Sequence, residues 1–203
     1  MNKKLEIGIN KPRFEGWDSV SLPKFNIITD NLPYDDNSLN EIYWSHVIEH
    51  IPYCNIESVV TQIYNKLEKG GKFRTVCPDM RKIVEAYIND DVSQFEVEHI
   101  PYKNIRPKNH WGSLSMEGIY PKLGVGGMFM AQIVGSSCKD TGECFLTSPD
   151  GDVYGVVSHV AGWDYEMLKN LLYLVGFSKV ERTKIETKDP HQEGGQLCVN
   201  AYK

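Results

Sequence analysis

The chain has 203 residues, of which 41% are hydrophobic, 24% charged and 11% aromatic. That is enough apolar material for one core of ordinary size and too much for a disordered chain. A net charge of -5 without any cluster of Lys or Arg gives no footprint for nucleic acid or an anionic membrane surface. The five scattered cysteines, Cys54, Cys77, Cys138, Cys144 and Cys198, read as reduced thiols in a cytoplasmic setting. No apolar run approaches the length of a membrane span, and no signal region opens the chain.

In chain order, Lys4–Ile9 reads as a strand that ends at Gly8, and Trp17–Val20 and Phe25–Ile28 as two further short strands. Residues 32–40 are turn-rich, with Pro33, Asp35, Asp36, Asn37 and Ser38, and read as a surface turn with no metal site. Glu41–Ser45 is a β-rich run, and 46–52 holds at most one helical turn. Between 55 and 68 the apolar residues Ile56, Val59, Val60, Ile63, Tyr64 and Leu67 trace the stripe of an amphipathic helix, which Gly70-Gly71 should stop.

Lys72–Val76 is a strand, and Pro78 opens a helix carrying Ile83, Val84 and Tyr87. This alternation predicts a mostly parallel sheet with helices on both faces. The stretch 95–160 is rich in Gly, Pro, Ser and Asn and reads as an insertion over one end of the sheet, with a short helix near 126–134. Trp163–Val175 is a helix capped by Gly176; Phe177–Glu186 and Gln196–Ala201 then form strands, giving the sheet an antiparallel edge. The whole is one domain spanning 1–203.

Ligands of doubly wound sheets sit beyond the carboxyl ends of the strands. This rule singles out Gly8–Asn10, Asp30–Pro33, Ser45–His50 and Cys77–Asp79. The segments LEIG at 5–8, DNLPYDDNSLNEIYWSHVIEH at 30–50, LEKGGKFRTVCPD at 67–79 and GWDYEMLKNLLYLVGFSKVE at 162–181 resemble, in this order, the small class I S-adenosylmethionine (SAM)-dependent methyltransferases. The resemblance implies a three-layer Rossmann-like α/β fold with a sheet of about seven strands. It implies SAM as the cofactor and methyl transfer to a small-molecule or glycan acceptor, in the company of sugar and polysaccharide biosynthesis.

Residue by residue, the resemblance places Glu6 and Gly8 at the methionine end of SAM, Asp30 at the adenine amino group, the Leu32 backbone at adenine, and Ser45 and His46 beside the transferred methyl. Asn10 stands where the family has a second loop glycine, a position its tolerance of positive φ would suit. Ser21 replaces the acid that usually holds the ribose, with Asp18 nearby but out of register. His46, His110 and His159 are the candidate acid–base or acceptor-orienting residues.

Structural readings stand beside these. Glu6 fits an exposed strand position equally well, Gly8 an ordinary turn, Asp30 and Leu32 a turn and a core residue, and Ser45 a helix N-cap. Pro78 and Asp79 fit a helix start. His110 and His159 fit anchors for the long loop. The altered Gly8-Ile9-Asn10-Lys11-Pro12 loop suits a non-catalytic relative that binds a partner or a nucleotide-like ligand. A third reading, a zinc hydrolase, follows from His46-Val47-Ile48-Glu49-His50, which fits H-x-x-E-H but is cut short by Pro52.

Overall fold

A computed structural model of the chain describes residues 3–91, 126, 129, 145–147, 153–156, 159–189 and 195–203. Strands β1 (Lys4–Ile7), β2 (Asp18–Val20), β3 (Leu39–Ser45), β4 (Leu67–Pro78), β7 (Lys179–Arg182) and β8 (Gln196–Tyr202) form one sheet in the order β2-β1-β3-β4-β8-β7. The first four of these run parallel, and β8 pairs antiparallel with both β4 and β7. Helices α1 (Tyr53–Lys66), α2 (Met80–Ile88) and α3 (Tyr165–Val175) are the α-helices bounded among the described residues. The fold is α/β and Rossmann-like, with the expected antiparallel edge.

The sheet is chemically two-sided. Because strand side chains alternate, Leu5, Ile7, Ile42, Trp44, Phe73, Val199 and Ala201 share one face. There they join Val59, Val60 and Ile63 of α1 and Leu168 and Leu172 of α3 in the main core. The opposite face is charged. Lys4, Glu41 and Lys72 stand in one cross-strand row, with Glu41 3.2 Å from Lys4 Nζ and 2.7 Å from Lys72 Nζ. Glu6, Tyr43, Arg74 and Asn200 form the next row, and Arg74 Nε donates to Asn200 Oδ1 at 2.8 Å. On this side Phe14, Trp17 and Ile185, all from connecting segments, pack on a small cluster of Tyr43, Val76 and Cys198.

Among the described residues the main sheet holds six strands where about seven were expected, because Phe25–Ile28 is no strand. Asn26 and Asp30 draw that segment into turns: Asn26 Oδ1 accepts from the Ile28 amide at 3.0 Å, and Asp30 Oδ2 accepts from the Asn26 amide at 2.8 Å. Such side chains offer the backbone local partners that compete with a strand ladder. Nor does Gly70-Gly71 stop α1. Leu67 leaves the helix in an extended conformation and starts β4 at once, with Gly70 (φ +79°) inside the strand.

Pro78 does not open α2 but ends β4; the helix starts two residues later at Met80, with Asp79 as its N-cap accepting from the Arg81 amide. Trp163 lies outside α3 and forms an isolated bridge with Asp79, while Asp164 caps the helix through the Met167 amide at 2.9 Å. Gly176 (φ +117°) closes α3 in the left-handed conformation, as expected of a helix C-terminus. β7 is shorter than the 177–186 run expected.

The stretch 95–160 is not wholly irregular, since β5 (Phe145–Thr147) and β6 (Val153–Val156) pair antiparallel within it. Of the helix expected near 126–134, Gly126 and Phe129 are described and helical, with Phe129 stacked on Tyr87 at 4.7 Å. No helix among the described residues is long and apolar enough to cross a membrane.

Lys203 replaces the missing glycine cap of α1. Its Nζ donates to the carbonyls of Tyr64 and Leu67, each at 2.8 Å, and to Asn37 Oδ1 at 2.8 Å, and it lies 4.5 Å from the Tyr64 ring centre. A cation on the last carbonyls of a helix satisfies orphan acceptors and complements the dipole. Lys203→Met should therefore cost about 1–2 kcal/mol, read as a lower urea midpoint with an unchanged m-value.

Candidate functional site

The strand order reverses between β1 and β3: the chain passes from β1 outward to β2, then returns to the other side of β1. In an open α/β sheet the crevice beyond the carboxyl ends at such a point is the ligand site. Gly8 follows β1 there, and Ser45 and His46 end β3. Both turning residues hold positive φ, Gly8 at +93° and His46 at +55°. Gly8 is required twice, since a Cβ would also sit 2.5 Å from Val47 Cγ2. Asn10 is not in the left-handed region, so the loop turns on Gly8 and Gly16 (φ +77°), and Asn10 accepts from Ser19 Oγ through its carbonyl at 3.2 Å.

Glu6 is not an exposed strand residue. It is 1% exposed and faces Arg13, which lies on the connection from β1 to β2. The Arg13 amide donates to Glu6 Oε2 at 2.8 Å, and Arg13 Nη1 lies 3.0 Å from Glu6 Oε1 and 2.9 Å from Asp189 Oδ2. The Tyr43 hydroxyl donates to the same Asp189 oxygen. Burial raises the Glu6 carboxyl above 4.5, and the contacts with Arg13 pull it part of the way back. Burial, then Asp189, push the Tyr43 phenol well up.

Asp30 is exposed, and its carboxylate also accepts from Thr29 Oγ1 at 3.1 Å. Leu32 is buried, and its amide donates to Gln62 Oε1 on α1, while Gln62 Nε2 donates to the Asp30 carbonyl at 3.2 Å. Beside them a polar cleft of about 620 Å³ runs along α1, lined by Thr29, Asp30, Glu57, Thr61, Gln62 and Lys66 among others. Ser21 donates only to the neighbouring Leu22 carbonyl at 3.1 Å.

After β3 the backbone makes one 3-10 turn, Ile48–His50, anchored by buried Ile48 and Ile51. This single turn is not the helix that a zinc-protease motif needs. Glu49 is 2% exposed, and its Oε1 lies 2.8 Å from His46 Nδ1. Burial works to raise the Glu49 carboxyl, but His46, then His50 and His159, outweigh it and hold the group down at about 2. For His46 burial works downward, and Glu49 outweighs it to leave the imidazole above 6.5. Asp79 is a helix cap, buried at 1% and 3.7 Å from Arg182 Nη1.

The structure thus brings Gly8, Ser45 and His46 to one sheet edge, places Asp30 at the polar cleft along α1 and Leu32 in the core, and sets His159 beside Glu49 and His50. His110, Cys138 and Cys144 lie outside the described residues. Sequence reasoning missed Arg13, Asp189 and Gln62 altogether. Arg13 and Asp189 are 176 positions apart, and neither sits in a periodic segment, so nothing local signals the pairing.

No family model and no curated relative matches the sequence. Among solved structures, the chain is similar to a SAM-dependent methyltransferase from Thermotoga maritima, at 13% identity and a TM-score of 0.49 over 100% of this chain and 83% of that one. It is similar to another from Archaeoglobus fulgidus, at 12% identity and a TM-score of 0.48 over 100% and 86%. It also spans 37% of an O-methyltransferase-type protein from Nostoc punctiforme, at 10% identity and a TM-score of 0.41 over 92% of this chain.

The Arg13 network gives a direct test. Arg13→Met leaves two buried carboxylates without their shared cation. Breaking such a pair costs several kcal/mol, and about 2–3 is expected here because Arg13 is partly exposed. The folded-state Glu6 carboxyl, already raised by burial, then rises further above its unfolded value. Native protein binds the extra proton, so the stability deficit deepens as pH climbs past about 4.5 and shrinks on acidification. Urea unfolding of both proteins across pH 4.5–8 checks the sign.

Proposed function

We propose that the protein transfers a methyl group from SAM to a small acceptor, with a sugar or glycan intermediate as the candidate class. One observation carries the reading: Gly8, Ser45 and His46 meet at the reversal point of a parallel sheet, where the backbone turns through positive φ on both flanking strands. The ordered sequence resemblance around those same positions supports it.

The residues fit SAM in part. Gly8 makes the turn after β1 with its amide held by the Val20 carbonyl at 2.8 Å, Ser45 and His46 stand at the end of β3, and Asp30 offers an exposed carboxylate at the polar cleft along α1 for an exocyclic amine. Three positions fit less well. Glu6 is neutralised by Arg13, the Leu32 amide is taken by Gln62, and Ser21 offers an uncharged hydroxyl that is turned to its own neighbour. When bound, SAM supplies a methyl on a sulfonium that is already a good leaving group. The chain need only bind and align the acceptor, and alignment can be worth about 7–11 kcal/mol. His46, at the end of β3, is the candidate on this edge to position or deprotonate it.

A second reading, a non-catalytic relative that keeps the fold and binds a nucleotide-like ligand, is favoured by the Arg13 lock on Glu6. Calorimetric titration of purified protein with SAM and with S-adenosylhomocysteine separates the two. Saturable binding that Asp30→Ala weakens about tenfold, the worth of one charged hydrogen bond, is the expected result. No binding of either ligand by folded wild-type protein would sink the methyl-transfer reading.

A further inference from the structure

Glu49, His50 and His159 converge outside the crevice just described, and each offers one ligand atom within 4.8 Å of the other two. The chain builds this convergence from two segments. Glu49 and His50 are consecutive in the 3-10 turn, and the amides of Val160 and Ala161 both donate to the Glu49 carbonyl, at 2.8 and 3.1 Å. That pair of bonds pins residue 159 over the turn. The His50 and His159 rings meet edge-on with centres 5.1 Å apart.

We propose that these three side chains bind a divalent first-row transition metal ion of the Zn2+ type. Two imidazoles and one carboxylate are the donor set that borderline cations prefer, whereas Mg2+ and Ca2+ favour all-oxygen sites. An independent observation points to the same place. Glu49 is 2% exposed, and its Oε2 has no hydrogen-bond partner among the described residues. A buried carboxylate oxygen is costly unless something compensates it, and a cation held between it and the two imidazoles does so. Oε1 keeps its contact with His46 Nδ1, so His46 orients the ligating carboxylate from outside.

The arrangement differs from the H-x-x-E-H reading of the sequence. There, His46 and His50 would both ligate and Glu49 would act as base. Here Glu49 ligates, His159 supplies the second imidazole and His46 stands behind the carboxylate. Metal–ligand bonds of about 2.0–2.2 Å require the three atoms to close inward by side-chain rotation. Three protein ligands leave a coordination position for a substrate oxygen, as in catalytic rather than structural zinc sites.

The test uses the full chain, stripped with chelator and titrated with Co2+ and with Zn2+ without SAM, so that it stands apart from the methyl-transfer reading. One equivalent of Co2+ should bind with visible ligand-field bands and without the strong near-ultraviolet band of thiolate ligation. Zn2+ should displace it. Glu49→Gln and His159→Ala should each weaken binding at least about tenfold, while Cys54→Ser, which removes an exposed thiol, binds as wild type. Circular dichroism confirms folding, and if Glu49→Gln does not fold, His159→Ala and His50→Ala decide. No saturable binding by folded wild-type protein, a sulfur-ligated spectrum, or binding that survives the His159 and His50 substitutions would overturn the site.

Discussion

Arg13 stands between two buried carboxylates, Glu6 from β1 and Asp189 from the segment before β8, and joins the first and last parts of the described sheet. A charged sheet face cannot be covered by an apolar helix without stranding its ions. The protein meets this constraint with connecting segments that bring their own charges and aromatic rings. Phe14 and Trp17 cover the apolar gap near Tyr43, and Arg13, three residues before the turn at Gly16, neutralises the acids. The short link from β1 to β2 is therefore a covering layer as well as a connection.

That solution shapes the candidate site. In a βαβ unit the first crossover helix would present its amide end to a ligand at the switch point. Here the segment from Gly8 to Trp17 contains no helix, and its Arg13 amide is aimed at Glu6. A ligand proposed for this edge would therefore meet no helix dipole from this segment. The other face follows ordinary rules, with α1 and α3 stripes over Leu5, Trp44 and Phe73, and it holds the strand ends in place.

Much of this was legible in the residues. The α1 and α3 stripes, the Gly176 cap, β1, β3 and the β8 edge all express short-range periodicity or single-residue conformational preference, which a lone sequence carries. Failures came where one preference overruled another. Phe25–Ile28 looked extended, but Asn26 and Asp30 captured the local amides. Gly70-Gly71 looked like a helix stop, but Leu67 had already entered the strand and Lys203 capped the helix from the far end of the chain. At the site, Gly8 and His46 could be placed from the strand pattern. The Glu49–His50–His159 convergence could not, because His159 arrives across a stretch with no readable period.

The direct junction of Lys66 to Leu67 has a consequence for how this chain can vary. No residue separates α1 from β4, and the register shift between Leu39 and Glu41 takes up the residues between Leu67 and Lys72, after which the pairing with β3 is regular. An insertion or deletion that this irregularity did not absorb would slide the rest of β4 by one position and turn Phe73 and Cys77 from the apolar face to the charged one. On the carboxyl-terminal side, by contrast, more than seventy positions separate the end of α2 at Ile88 from Trp163. Length changes across related sequences should accordingly gather at that one edge, leaving the other a fixed ruler from which every strand is measured.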